Sequence, residues 1–125
     1  MAEIDLGLDL YGFNKAGMAQ EKPLDSIALN IKLTDMFNDI MNRNDTNKSS
    51  YWMLLCRERH DYTIFLPLTL TGSVSEMTEC LINRGQVLSI DKQKDKNYEI
   101  WIRDPETKEN YVYYFFDYNQ GIIKA

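Results

Sequence analysis

Between Tyr98 and Tyr118 apolar and aromatic residues recur at every second position on both sides of a polar break. Tyr98, Ile100 and Ile102 alternate with Glu99, Trp101 and Arg103, the period of a strand with one apolar face. Asp104 and Pro105 then stand where a type I turn takes them. In the returning arm Tyr111, Tyr113 and Phe115 fall on one side and Val112, Tyr114 and Phe116 on the other, so both faces are apolar. The pattern predicts a β-hairpin whose second arm lies inside a sheet, with helices over one face and something else over the other.

Tyr51 to Leu66 repeats the theme: an arm apolar on both faces through Cys56, a charged turn from Arg57 to Asp61, and a return through Tyr62, Ile64 and Leu66, which Pro67 ends. Gly72 reads as a break. Ser73 and Glu76 then form a capping box for a helix over 74–84, with Val74, Met77, Cys80 and Leu81 at helical spacing. Glu76 and Glu79 near its start and Arg84 near its end complement the helix dipole, and Gly85 is placed as a left-handed stop. Val87, Leu88 and Ile90 predict a strand over 86–91, which the polar run 92–97 joins to the hairpin as a three-strand meander.

Pro23 to Arg43 admits two periods. Ile27, Leu29, Ile31 and Leu33 alternate as in a strand, whereas Leu29, Leu33, Met36, Phe37, Ile40 and Met41 share one face of a helix. Pro23, Asp25 and Ser26 suit a helix start. A helix is expected over 35–43, and 26–33 stays open between the two. The stretch 42–50 is a loop by composition. Near the N-terminus Ile4, Leu6, Leu8 and Leu10 alternate with Glu3, Asp5, Gly7 and Asp9 as a strand with an acidic outer face. Ile122 and Ile123 suggest a short final strand.

Together these elements predict an α+β fold: an antiparallel sheet of about five strands, built from two hairpins and a meander, with two helices packed mainly on one face. Residues 1–22 are expected as an N-terminal arm or edge strand plus linker, and 23–125 as a single α+β domain. The core candidates are Trp52, Leu54, Ile64, Leu81, Val87, Ile100, Ile102, Val112 and Phe116.

Composition narrows the function classes. The 125 residues carry a net charge of −5, spread evenly along the chain, which repels phosphate backbones and weighs against general nucleic-acid binding. No apolar run reaches the length of a membrane span. The first residues, Met-Ala-Glu-Ile-Asp, lack the basic start and apolar core of a secretion signal, so the expected compartment is the cytoplasm and the two cysteines are expected to be reduced.

Candidate chemistry is sparse. Cys56, Glu58, His60 and Asp61 gather a thiol, an imidazole and two carboxylates within six residues. They span a hairpin turn, where successive side chains diverge, so a charged tip that solubilises the hairpin explains the same residues. One histidine and two cysteines separated by 24 positions match no zinc spacing, and neither a calcium loop nor a phosphate-binding glycine loop occurs. No cofactor is expected.

The excess is in aromatics, 15 of 125 residues. Tyr111, Tyr113 and Phe115 are read three ways: as filling of the sheet core, as a base-stacking platform, or, with Ile4, Leu6, Leu8 and Leu10 of the arm, as a protein interface. Acidic residues interleave with the nearby lysines and argue against the platform. The sequence therefore points to a small acidic, non-enzymatic interaction module of accessory, adaptor, immunity or inhibitor type, acting through an aromatic sheet face or its N-terminal arm. Its expected partner is another protein or a second copy of itself. A small-ligand binder or enzyme with a loop-built pocket, and a binder of single-stranded nucleic acid, remain as alternatives.

Overall fold

The computed structural model describes residues 22–43, 51–94 and 97–118. The expected N-terminal strand through Ile4, Leu6, Leu8 and Leu10, most of the 42–50 loop and the short strand at Ile122 and Ile123 lie outside the described residues. The order of elements is α1 (Ser26–Met41), β1 (Trp52–Cys56), β2 (Asp61–Phe65), α2 (Leu70–Arg84), β3 (Gln86–Lys92), β4 (Tyr98–Arg103) and β5 (Asn110–Asp117). The five strands form one antiparallel sheet in the order β2-β1-β5-β4-β3, so the doubly apolar β5 is the central strand. This is an α+β fold.

The segment 26–33, open between strand and helix, is helical. Asp25 caps α1, its carboxylate accepting from the Ala28 amide at 2.8 Å. From that cap Leu29, Leu33, Met36, Phe37 and Ile40 form one buried stripe, so the 3.6-residue period prevails over the alternation. Leu24, just ahead of the cap, donates its amide to the Val87 carbonyl at 2.7 Å and ties the helix start to edge strand β3.

The start of α2 corrects the sequence reading. The N-cap is Thr69, four residues earlier than expected, and Gly72 lies inside the first turn. Ser73 is a buried helical residue whose hydroxyl accepts from the Thr69 amide at 3.0 Å. It still satisfies an amide at the helix start, but by reaching back to the cap residue from within the helix. Gly85 ends α2 at φ +148°, where an added Cβ would run into the Arg103 carbonyl oxygen and meet Ile102 Cγ2 at 2.9 Å. Glycine is required there by the close passage of β4.

Register decides what each face holds. Leu54 faces Phe115, Tyr98 faces Phe115 and Ile100 faces Tyr113 across the ladders, so all share one face. That face meets both helices. Phe37 of α1 stands edge-on to Phe115 at 5.6 Å between centroids, and Phe65 and Trp52 pack on the same ring. Trp52, Leu54, Leu81, Val87, Ile100 and Ile102 are core residues, as the periodicity predicts.

Three other core candidates are not in this core. Ile64 pairs with Met53, which pairs with Phe116, and these point to the opposite face. Because Phe65 is the buried residue of β2, the alternation that placed Ile64 inside is out of phase by one. Val112 and Phe116 lie on that second face as well, Val112 half-buried and Phe116 buried.

Candidate functional site

The second face of the sheet is the most distinctive surface. Alternation from the ladder pairs puts Met53, Leu55, Tyr62, Ile64, Val112, Tyr114 and Phe116 on it, joined by Trp101 opposite Val112. An irregularity between Val87 and Ser89 brings Leu88 out of the helix-side core, where it is buried but outside the main cluster. Neither described helix packs on this face, since the buried residues of both join the cluster on the other side. Tyr62 and Ile64, on edge strand β2, are exposed, at 62% and 45%. Met53, Leu55, Trp101, Val112 and Tyr114 are half-buried. Glu99 and Arg103 of β4 also belong to this face, so it carries both signs of charge among its apolar groups.

The residues that sequence nominated for an interface are distributed otherwise. Tyr113 and Phe115 are fully buried under the helices and form no surface, so the aromatic platform is corrected to core filling at these two positions. The reason is register: β5 is central, and its odd-numbered side chains face the helices. Tyr111, on the same side near the sheet's end, is half-buried, with its ring under the Arg59 guanidinium at 4.5 Å and its hydroxyl donating to Glu109 at 2.6 Å. Ile4, Leu6, Leu8 and Leu10 lie outside the described residues.

The Cys56, Glu58, His60 and Asp61 group does not converge. Cys56 is buried in the core, Glu58 and His60 point to solvent, and Asp61 turns inward. Burial pushes the thiols of Cys56 and Cys80 up, the reverse of what a nucleophile needs.

Asp61 instead belongs to a network that sequence reasoning missed. Arg84 at the C-terminal end of α2 holds it with a bidentate fork, Nε at 2.7 Å and Nη2 at 2.9 Å, and the Tyr113 hydroxyl donates to Oδ2 at 2.6 Å. Arg84 also donates to Thr63 Oγ1 at 3.0 Å and to the Cys80 carbonyl at 2.9 Å. Arg59 bridges the same corner to Asp104 at 3.0 Å. The Arg84 hydrogen bonds hold the Asp61 carboxyl below the usual carboxylate range, against burial, while burial and then Asp61 push the Tyr113 hydroxyl up. No pattern marks this network, because its side-chain-to-side-chain bonds join residues 21 to 54 positions apart in sequence.

A second polar corner closes the other end. Asp39 accepts from the Tyr98 hydroxyl at 2.6 Å, from Arg43 at 2.7 Å and from Lys92 at 3.3 Å. Burial raises its pKa, but these three donors outweigh burial and leave it at about 2. Each corner joins strand residues to a helix end, and every carboxylate in it is already matched by a cation or a hydroxyl. These are braces, with geometry suited to holding elements in place. Among the described residues no three His, Cys, Asp or Glu side chains converge as metal ligands do, and no helix is long and apolar enough to cross a membrane.

No family model, curated protein or solved structure matches the chain.

Proposed function

We propose that the protein is a small acidic interaction module, without catalytic activity of its own, that docks through the second face of its sheet. The observation that carries this reading is the apolar, aromatic composition of a sheet face on which neither described helix packs, from Ile64 and Met53 at one edge to Trp101 on the far side of β5. Apolar patches beyond a few hundred Å² are uncommon on monomers, and tyrosine, tryptophan and methionine are the residues enriched where proteins meet. The polar groups that would serve chemistry are matched with one another in the two corners, which supports a binding role over a catalytic one.

The occupant is a second copy of the chain. Closed symmetric dimers are the commonest way for a protein to cover such a face. Sedimentation velocity on the full-length protein at micromolar concentration tests it. The expected result is a dimer, converted to monomer by the double variant Tyr62→Glu, Ile64→Glu with an unchanged far-ultraviolet spectrum. Both side chains are exposed on an edge strand, so the variant removes contact area without opening the core. A monomeric parent protein, or a dimer indifferent to the double variant, would overturn the reading.

A further inference from the structure

The opposite side of the molecule has a second unmatched surface. α1 buries Leu29, Leu33, Met36, Phe37 and Ile40, yet Ile27 and Ile31 stand out at 72% and 55% exposure. With Asn30 and Thr34 they occupy positions i, i+3, i+4 and i+7, a second stripe along the same helix. Asn30 and Thr34 form one wall of a groove of about 690 Å³. The other wall is a stripe on α2, including Leu70, Val74 and Thr78, and ends at Ile82, itself 57% exposed. Two helices that contact each other thus leave a trough on their outer side in which Leu70, Val74 and Ile82 stand among six polar lining residues, with exposed Ile31 next to Asn30 in sequence but outside the lining.

Charge selects the occupant. On the two helices Asp25, Asp35, Glu76 and Glu79 hold no ion pair among the described residues, and Lys32 is the single base in the same condition. Arg84 is held by Asp61, and Asp39 by Arg43 and Lys92. Glu79 lines the trough itself. A second copy of this chain would bring a like-charged surface, so self-association through this side is disfavoured.

We infer that the trough between α1 and α2 is a docking site for an amphipathic helix of basic character, which sets its apolar stripe between Ile31 and Ile82 and a lysine or arginine against Glu79. A third helix laid into the seam between two others is a recurrent mode of peptide recognition, read by anchors at i, i+3, i+4 and i+7. The dimer proposed above would leave this side free, so the inference stands or falls independently of it.

The test uses the full-length protein and a fluorescein-labelled helical peptide of leucine and lysine with a single apolar stripe, read by fluorescence anisotropy. A counterpart with glutamate in place of lysine is the charge control. The basic peptide is expected to bind, the acidic one not. The double variant Ile31→Ser, Ile82→Ser should weaken binding by about tenfold or more, as loss of two apolar anchors implies. Glu79→Gln should weaken it less and flatten its salt dependence. Tyr62→Ser, on the sheet face, should leave it unchanged. Absence of binding overturns the inference, as does binding that the trough variants leave untouched, which would be general attraction to an acidic protein. Loss on Tyr62→Ser would place the peptide on the sheet and overturn it equally.

Discussion

Gly85 is the residue at which one added atom has the largest local consequence. Its φ of +148° excludes ordinary side chains, and the Arg103 carbonyl fills the place of a Cβ. Gly85→Ala is expected to cost about 3 kcal/mol through backbone strain and displacement of β4, read as a large drop in melting temperature. Asp61 is next in consequence. Its side chain is 26% exposed and that of Arg84 19%, which puts the pair between the near-zero value of surface pairs and the several kcal/mol of broken buried ones. Asp61→Asn should therefore cost about 2 kcal/mol in chemical denaturation, whereas His60→Ala, on the same turn but facing solvent, should stay within about 0.5 kcal/mol. Equal effects at the two positions would show that the corner network contributes nothing.

The same corners set the pH response. Asp39 and Asp61 have folded pKa values below their unfolded ones, Asp39 at about 2. Their contribution is present above the ordinary carboxylate range, near 4, and is lost as pH falls towards 2. Tyr98 and Tyr113 are shifted upward, chiefly by burial and then by hydrogen bonds to Asp39 and Asp61. Their contribution is present below the ordinary tyrosine range, near 10, and is lost as pH rises above it. A spectrophotometric titration should show Tyr98 and Tyr113 ionising only as the protein unfolds. Ionisation of these two while the fold is still intact would contradict their burial.

At the scale of elements, the caps carry the argument. Asp25→Ala removes the acceptor for the Ala28 amide and should cost about 1 kcal/mol, measured by thermal melting. Ser73→Ala should cost a similar amount, through the Thr69 amide left without its side-chain acceptor. Such sites also show how far the sequence was legible. β4 matches its expected range 98–103, and β5 falls within one residue at each end, because aromatic alternation between two turn signals leaves little freedom. α2 began earlier than expected because Gly72 and Ser73 read locally as a break and a cap, while tertiary packing carries the helix back to Thr69. In β2 the period of two was read correctly and its phase was not: Tyr62, Ile64 and Leu66 look inward in isolation, but pairing with β1 fixes Phe65 as the buried residue. The corner networks were invisible, since an arginine in a charged turn gives no sign that it reaches a carboxylate 45 residues away.

At the scale of the molecule, the described helices fill one face of the sheet and leave the other without a helix of theirs. The helix-side core is continuous from Leu33 and Phe37 through Phe115 to Ile100, while the aromatic side of β1, β5 and β4 faces away from it. The two tryptophans divide between these sides. Trp52 is in the core, and Trp101 sits half-buried on the second face. Trp52 Nε1 is buried without a hydrogen-bond partner, so Trp52→Phe deletes an unsatisfied donor and keeps an aromatic ring at the site. In that full-length variant Trp101 is the sole tryptophan emitter, and acrylamide quenching across a dilution series reads the second face directly. If that face is covered by a second copy of the chain, quenching of Trp101 is weak at high concentration and rises on dilution as the dimer dissociates. Quenching that stays constant over the series would contradict the assignment of this face as the contact surface.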